Sequence, residues 1–233
     1  MQNEQYQLLA DGLTQLCCND PDSAQLLVPR MEEIQALLVR YSAEILRCNP
    51  ALSLVGTDDP QELILRHILD SLAPLGILYR TGNTRRIADV GSGAGLPGIP
   101  LAIALPQSQL TLIERKGRRA GFLQSTCAAL GLSNIAVEEA EMEKVPPGRF
   151  SMVTFRAFRP LEMKLIKKLF RLCGDGGCLA AYKGRSSKAE AEITALEEAG
   201  FSGQWELLPC PVPMLNEERH LLVITQVLKN SSR

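Results

Sequence analysis

Apolar residues recur at helical spacing through the first 80 residues. Leu26, Ile34, Leu37, Leu38, Tyr41, Ile45 and Leu46 fall on one face, with Glu and Arg between them. Asn49-Pro50 predicts the end of that helix, because proline lacks the donor a helix interior needs. Asp58-Asp59-Pro60 predicts the start of the next, which carries Leu63, Ile64, Ile68, Leu69 and Leu72 until Pro74 and Gly76 interrupt it. After Arg86 the pattern changes to short β-prone runs alternating with helical segments, the signature of a parallel sheet. Strands are predicted near Arg86–Val90, Gln109–Glu114, Ile135–Glu138, Ser151–Phe155, Cys178–Tyr182, Gln204–Leu208 and His220–Val227. Helices are predicted over Gly98–Leu105, Gly117–Leu130 with Gly131 as its stop, Pro160–Leu172 and Lys188–Ala199 with Gly200 as its stop. Gly174-Asp175-Gly176-Gly177 reads as the turn into the fifth strand. No helical pattern separates the last two strands, so a terminal antiparallel hairpin on an otherwise parallel sheet is expected.

The most informative stretch is Ile87-Ala88-Asp89-Val90-Gly91-Ser92-Gly93-Ala94-Gly95-Leu96-Pro97-Gly98. It is a strand, a turn with glycine at every second position, and a proline-led helix start. Glycine lets the backbone take positive φ and approach a ligand closely, and a helix start offers free N–H groups. A ligand-free turn could carry the same glycines, but the flanking strand and helix favour a nucleotide-like cofactor. NAD(P) and S-adenosylmethionine both fit. Each has a ribose that wants an acid at the end of strand two, and Glu114 stands there. Three features tilt toward S-adenosylmethionine. Asp89 can organise the loop and receive a cationic amine, although a plain turn or cap carboxylate is its simpler reading. Leu96-Pro97-Gly98-Ile99-Pro100 leaves few amide donors for a pyrophosphate. The terminal hairpin matches the plan of class I methyltransferases: an α/β fold with a seven-stranded, mostly parallel sheet, here with an N-terminal helical extension. The expected division is 1–80 for the extension and 81–233 for the methyltransferase domain.

Composition narrows the class further. Of 233 residues, 45% are hydrophobic and 22% charged, which suits an ordinary globular chain. No apolar run approaches membrane-spanning length, and the N-terminus lacks the shape of a signal peptide, so a cytoplasmic location without membrane contact is expected. Seven cysteines, no C-x-x-C and two histidines argue against a disulfide framework and against a metal site. Net charge is −1, so any nucleic-acid surface must come from local clusters. Three exist: Arg115-Lys116-Gly117-Arg118-Arg119; Lys164, Lys167, Lys168 and Arg171; and Lys183, Arg185 and Lys188. Each could equally be a solvated face.

The acceptor is constrained by what is missing. Cys210 in Pro209-Cys210-Pro211 follows strand six, not strand four where a cytosine-methylating cysteine is placed, and reads as structural. After strand four the chain reads Thr154-Phe155-Arg156-Ala157-Phe158-Arg159-Pro160, without the Asn/Asp-Pro-Pro-aromatic loop of amino-group methylation. Phe155 and Phe158 are either base-stacking or core residues. A ring nitrogen such as guanine N7 carries no proton, and its methylation needs positioning and electrostatics instead of a strong base.

Four blocks carry a resemblance: Arg66-His67-Ile68-Leu69-Asp70-Ser71, Asp89 through Leu101, Arg156-Ala157-Phe158, and Glu218-Arg219-His220-Leu221. In order and spacing the chain resembles the bacterial ribosomal RNA small subunit methyltransferase G family, also called glucose-inhibited division protein B, from about residue 30 onward. The resemblance implies S-adenosylmethionine-dependent methylation of guanine N7 in the 530 loop of 16S ribosomal RNA, on naked RNA or the small ribosomal subunit. It implies cofactor contacts from Asp89, Gly91, Gly93, Gly95, Leu96, Glu114, Met142, Glu143 and Arg156. Arg156, with Arg66 and His67, is expected to orient the guanine or its phosphates. From the bare sequence His67 reads as a core or capped histidine, and only the block lifts it. Arg115, Lys116, Lys183 and Arg185 are the RNA-binding candidates, and His220 is read as structural or rim. The chain departs from the family pattern at Cys48-Asn49, Ser53-Leu54-Val55 and Phe155. Rival readings are a methyltransferase of the same fold acting on another RNA, a small molecule or a protein, an NAD(P)-dependent oxidoreductase, and a non-catalytic RNA-binding or cell-division factor. A monomer is the default.

Overall fold

The computed structural model describes residues 2–156 and 160–225. Six helices come first: α1 (Gln2–Asn19), α2 (Pro21–Leu27), α3 (Met31–Leu52), α4 (Pro60–Leu63), α5 (Asp70–Leu72) and α6 (Leu75–Arg80). A π-helical turn, Ile64–Leu69, joins α4 to α5. Asp59 caps α4 by accepting from the Gln61 N–H, with Pro60 in the first turn, as the Asp-Pro pair foretells. The expected stop at Asn49-Pro50 is corrected: α3 runs on to Leu52, with Pro50 inside it. Proline there removes the one N–H bond that residue 50 would have made to the carbonyl of residue 46, and the helix continues for less than a turn beyond it. Asn49 then closes the end, its Oδ1 accepting from the N–H groups of Leu54 and Val55 at 2.8 and 2.9 Å.

Next come β1 (Arg86–Val90), α7 (Gly98–Ala104), β2 (Gln109–Glu114), α8 (Gly117–Leu130), β3 (Ile135–Glu139), β4 (Phe150–Arg156), α9 (Met163–Leu172), β5 (Cys173–Lys183), α10 (Ser186–Glu198), β6 (Gln204–Pro209) and β7 (His220–Thr225). The sheet order is β3-β2-β1-β4-β5-β7-β6. β1 to β5 pair in parallel, while β7 lies between β5 and β6 and runs antiparallel to both. Gly131 ends α8 at φ +71°, as its position requires. Two expectations shift. β5 starts at Cys173, because Cys173 pairs with Phe150 before a register slip, so the expected Gly-rich turn is absorbed into an irregular strand. The helix placed from Pro160 starts at Met163. The last two residues of the expected seventh strand lie outside the described residues.

Side chains alternate across the sheet. Ile87, Leu110, Leu112, Met152, Cys178 and Ala180 join one buried cluster with α7, α8 and the N-terminal helices. Ala88, Val90, Ile113, Val153, Phe155, Leu179 and Ala181 join another with α9 and α10. The N-terminal helices therefore share a core with one face of the sheet. Arg118 and Arg119 of α8 donate to the carbonyls of Ala51 and Ser53, satisfying groups that the C-terminus of α3 leaves open. Much of the first basic cluster is thereby structural. Among the described residues no helix is long and apolar enough to cross a membrane.

Candidate active site

The carboxyl ends of β1, β2, β4 and β5 bring Asp89, Glu114, Arg156 and Lys183 to one edge of the sheet, where open α/β sheets bind ligands. Gly91, Gly93 and Gly95 have φ of +73°, +59° and +94°, a region that penalises side chains. Gly98 is required for a different reason. A Cβ there would lie 2.2 Å from Leu112 Cδ2 and 2.8 Å from Asp89 Oδ2. Tyr41 of α3 holds the loop from below, its hydroxyl donating to the Ala94 carbonyl at 2.8 Å.

Two carboxylates organise this loop. Asp89 is buried, and its Oδ2 accepts from Ser92 Oγ at 2.5 Å and from the Gly98 N–H at 3.1 Å. The Gly98 amide is thus committed to the protein, which corrects the expectation that the first amide of α7 is free for a ligand. Asp89 Oδ1 is buried with no partner. Burial pushes the Asp89 carboxyl up to about 6. Glu114 accepts from the Gly93 N–H at 3.0 Å and from the Lys116 N–H at 2.8 Å.

A cavity of about 470 Å³ opens beside them. Gly91, Glu114, Met142, Glu143 and Arg156 line it, with Arg115 and Lys116 at its wall as well. Arg115 and Lys116, expected to meet RNA, thus stand at this cavity. Asp89, Gly93, Gly95 and Leu96 do not line it; they shape it from behind, and Leu96 packs in the core. Met142 and Glu143 are held by α9: Arg171 donates to the Met142 carbonyl at 2.7 Å, and Lys168 pairs with Glu143 at 2.6 Å. That pairing holds the Glu143 carboxyl below its ordinary value.

Arg156 links this cavity to the remaining sequence blocks. Its Nη1 donates to Asp70 Oδ2 at 2.8 Å and to the Arg66 carbonyl at 3.2 Å, and its Nη2 lies 3.0 Å from His67 Nδ1. Asp70 is the hub, since its other oxygen accepts from Arg219 Nε at 3.0 Å. Glu217 then bridges Arg219 and Arg66, at 3.0 and 2.5 Å. Burial first, and Arg156 second, lower His67 to about 4. At neutral pH it is therefore the neutral acceptor of an Arg156 hydrogen bond. Neither His67 nor Arg66 lines this cavity or the larger one at the ends of β4 and β5, and both connect to them through Arg156 and Glu217. Asp70 and Arg219 have no role that the sequence alone reveals; only their membership of those sequence blocks points to them.

A second cavity, of about 790 Å³, lies at the ends of β4 and β5. Phe155, Tyr182, Lys183, Arg185, Lys188, Glu192 and residues 216–219 line it. Phe155 is both core and wall, at 2% exposure; Phe158 lies outside the described residues. Lys183 is half-buried and pairs with Glu192 at 2.5 Å, whereas Arg185 is exposed. His220 sits at the start of β7 with its Nδ1 2.7 Å from the Gly184 carbonyl, a structural position. Cys210 is buried and its thiol is pushed up to about 12, so it is no thiolate nucleophile.

A family model described as GidB, rRNA small subunit methyltransferase G, matches residues 34–222. The chain belongs to the rRNA small subunit methyltransferase G family. It is 38% identical over 224 residues to the ribosomal RNA small subunit methyltransferase G of Treponema pallidum (strain Nichols), covering 94% of each chain. It is 40% identical over 190 residues to the one from Stenotrophomonas maltophilia, covering 81% of this chain and 85% of that one. Its fold is similar to that of an S-adenosylmethionine-dependent methyltransferase from Aquifex aeolicus, with a TM-score of 0.54 at 19% identity, covering 73% of this chain and 95% of that one. The class I methyltransferase fold is thereby established, and the oxidoreductase reading falls. S-adenosylmethionine, the methyl donor of rRNA small subunit methyltransferase G enzymes, fits the residues present. The positive-φ glycines present bare backbone at every second position of the loop, Glu114 supplies an acid at the cavity wall, and Asp89 Oδ1 is a buried acceptor still without a donor.

Proposed function

We propose that this chain transfers a methyl group from S-adenosylmethionine to N7 of a guanine in the 530 loop of 16S ribosomal RNA. The observation that carries the reading is the Arg156–Asp70–Arg219 chain of ion pairs, which ties the wall of the glycine-loop cavity to the wall of the larger cavity. When bound, S-adenosylmethionine supplies an electrophilic methyl group on a cationic sulfur. Gly91, Glu114, Met142, Glu143 and Arg156 are the residues that hold it, with Asp89, Gly93, Gly95 and Leu96 fixing the loop.

Guanine N7 offers a lone pair and loses no proton, so the chain has to position and not to deprotonate. The residues agree with that task. Asp70 and neutral His67 fix the Arg156 guanidinium from two sides, and Arg66 contributes its carbonyl to the same grip. These are positioning roles, and of these four residues Arg156 alone lines either of the two cavities. Arg185 is the exposed cation of the RNA rim, while Lys183 spends its charge on Glu192. The chain acts as a cytoplasmic monomer, with residues 1–80 as a helical extension of a methyltransferase domain at 81–233.

The test is transfer of label from S-adenosylmethionine to small-subunit RNA and particles from a strain lacking the modification, with the product mapped. Label at N7 of one 530-loop guanine is the expected result. Tight cofactor binding without incorporation would send the search to another acceptor.

A further inference from the structure

The larger cavity carries three glutamates, and two are already neutralised. Glu192 pairs with Lys183, and Glu217 pairs with both Arg66 and Arg219. Glu218 differs. Its Oε2 accepts only the Ser186 N–H, at 3.0 Å, and among the described residues it has no cation partner. That bond pins the carboxylate at the start of α10 and leaves Oε1 available. Arg185 and Lys188 of the same wall are exposed and form no ion pair among the described residues.

An unpaired carboxylate is a poor choice for a wall that meets phosphates, unless it has N–H donors to accept. Guanine is the base whose Watson–Crick edge presents two adjacent donors, N1–H and N2–H₂, which match the two oxygens or one bifurcated oxygen of a carboxylate. Adenine and cytosine place a ring acceptor there, which a carboxylate repels. When N7 faces the methyl donor, that donor edge points away from it, toward the far wall. We propose that Glu218 is the specificity-determining residue of the acceptor cavity, reading the N1–H and N2–H₂ edge of the target guanine, while Arg185 and Lys188 take the flanking phosphates. This rests on the guanine-N7 reading of the function.

The experiment uses the full chain and small subunits reconstituted with 16S ribosomal RNA carrying either guanosine or inosine at the target position. Inosine keeps N7 and N1–H and lacks the 2-amino group. Wild-type kcat/KM is expected to fall roughly 10- to 100-fold from guanosine to inosine, the worth of one hydrogen bond to a charged group. In Glu218→Gln, whose single uncharged oxygen cannot serve both the Ser186 N–H and the guanine donors, the ratio should shrink to about threefold or less. Glu218→Asp, which withdraws the charge by one methylene, should shrink it too. S-adenosylhomocysteine affinity by calorimetry reports that each variant is folded, and it should stay at the wild-type value. A guanosine-to-inosine ratio that is close to one in the wild type, or unchanged in both variants, overturns the assignment. A wild type that labels neither substrate overturns the underlying function instead.

Discussion

Replacing Asp70 with Asn tests the hub. Its two oxygens serve two different arginines, Arg156 at 2.8 Å and Arg219 at 3.0 Å. Asparagine keeps one acceptor and turns an amide N–H₂ toward the other guanidinium. One charge-assisted hydrogen bond, worth about 1.5–3 kcal/mol, is lost outright. The remaining one loses its ionic character. Removing one partner of a fully buried pair costs about 3–5 kcal/mol. Here the side chains of Arg156, Asp70 and Arg219 are 15%, 9% and 19% exposed, and Arg219 keeps Glu217, so the loss belongs at the lower end. We expect about 2–3 kcal/mol, or roughly 5–10 °C in Tm for a chain of this size. Urea unfolding should move the midpoint at constant m-value. Repeating the change in an Arg219→Met background should recover about 1–2 kcal/mol of coupling, because the two residues are in contact. S-adenosylhomocysteine should also bind more weakly, by roughly tenfold, as Arg156 loses its orientation. A stability loss below about 0.5 kcal/mol with unchanged affinity would refute the hub.

Three further outcomes follow from the same geometry. Asp89 and His67 oppose each other in acid. Native Asp89 takes up its proton near pH 6, above its unfolded value, so the stability it confers is full below about pH 4 and fades as pH rises through 6; His67, held near 4, contributes stability above about pH 6.5 that fades as pH falls through 4. Stability against pH should therefore fall more steeply in acid for Asp89→Asn and more gently for His67→Gln, and parallel curves in urea titrations from pH 4 to 7 would count against both. Gly98→Ala forces a Cβ to within 2.2 Å of Leu112 Cδ2 and should cost about 1–3 kcal/mol by thermal unfolding. Arg185→Ala should reduce the slope of log affinity for RNA against log salt by about 0.7–0.9, and Lys183→Ala by much less, because Glu192 already neutralises that lysine.

How far the chain is readable depends on the range of the forces involved. β1 and β2 fall on their expected residues because every position after the first is buried, which favours the β-prone Ile87, Val90, Leu110, Thr111, Leu112 and Ile113. α8 does so because Gly131 supplies the left-handed residue its end needs. Pro50 misleads because its cost depends on how many turns follow, which Asn49 settles by bonding residues not yet reached. The glycine loop was legible as a motif, but the use of the Gly98 amide by Asp89 was not, since it is a contact nine residues away that competes with a ligand. The hub was invisible to periodicity. Asp70 meets Arg156 and Arg219 across 86 and 149 residues, and the pairing exists only once sheet and helices are in place.

The position of β7 has a consequence for the order in which the molecule becomes competent. β6 touches the sheet only through β7, and Glu218 and Arg219 stand immediately before β7 begins. Docking that strand completes the sheet and delivers one wall of the larger cavity together with the second arm of the Asp70 hub. Slow hydrogen exchange of the β7 amides and the integrity of the cavity should thus share one opening event. A chain in which β7 is not yet docked has the glycine loop but not the completed wall of the larger cavity, which on the proposed function is the acceptor side.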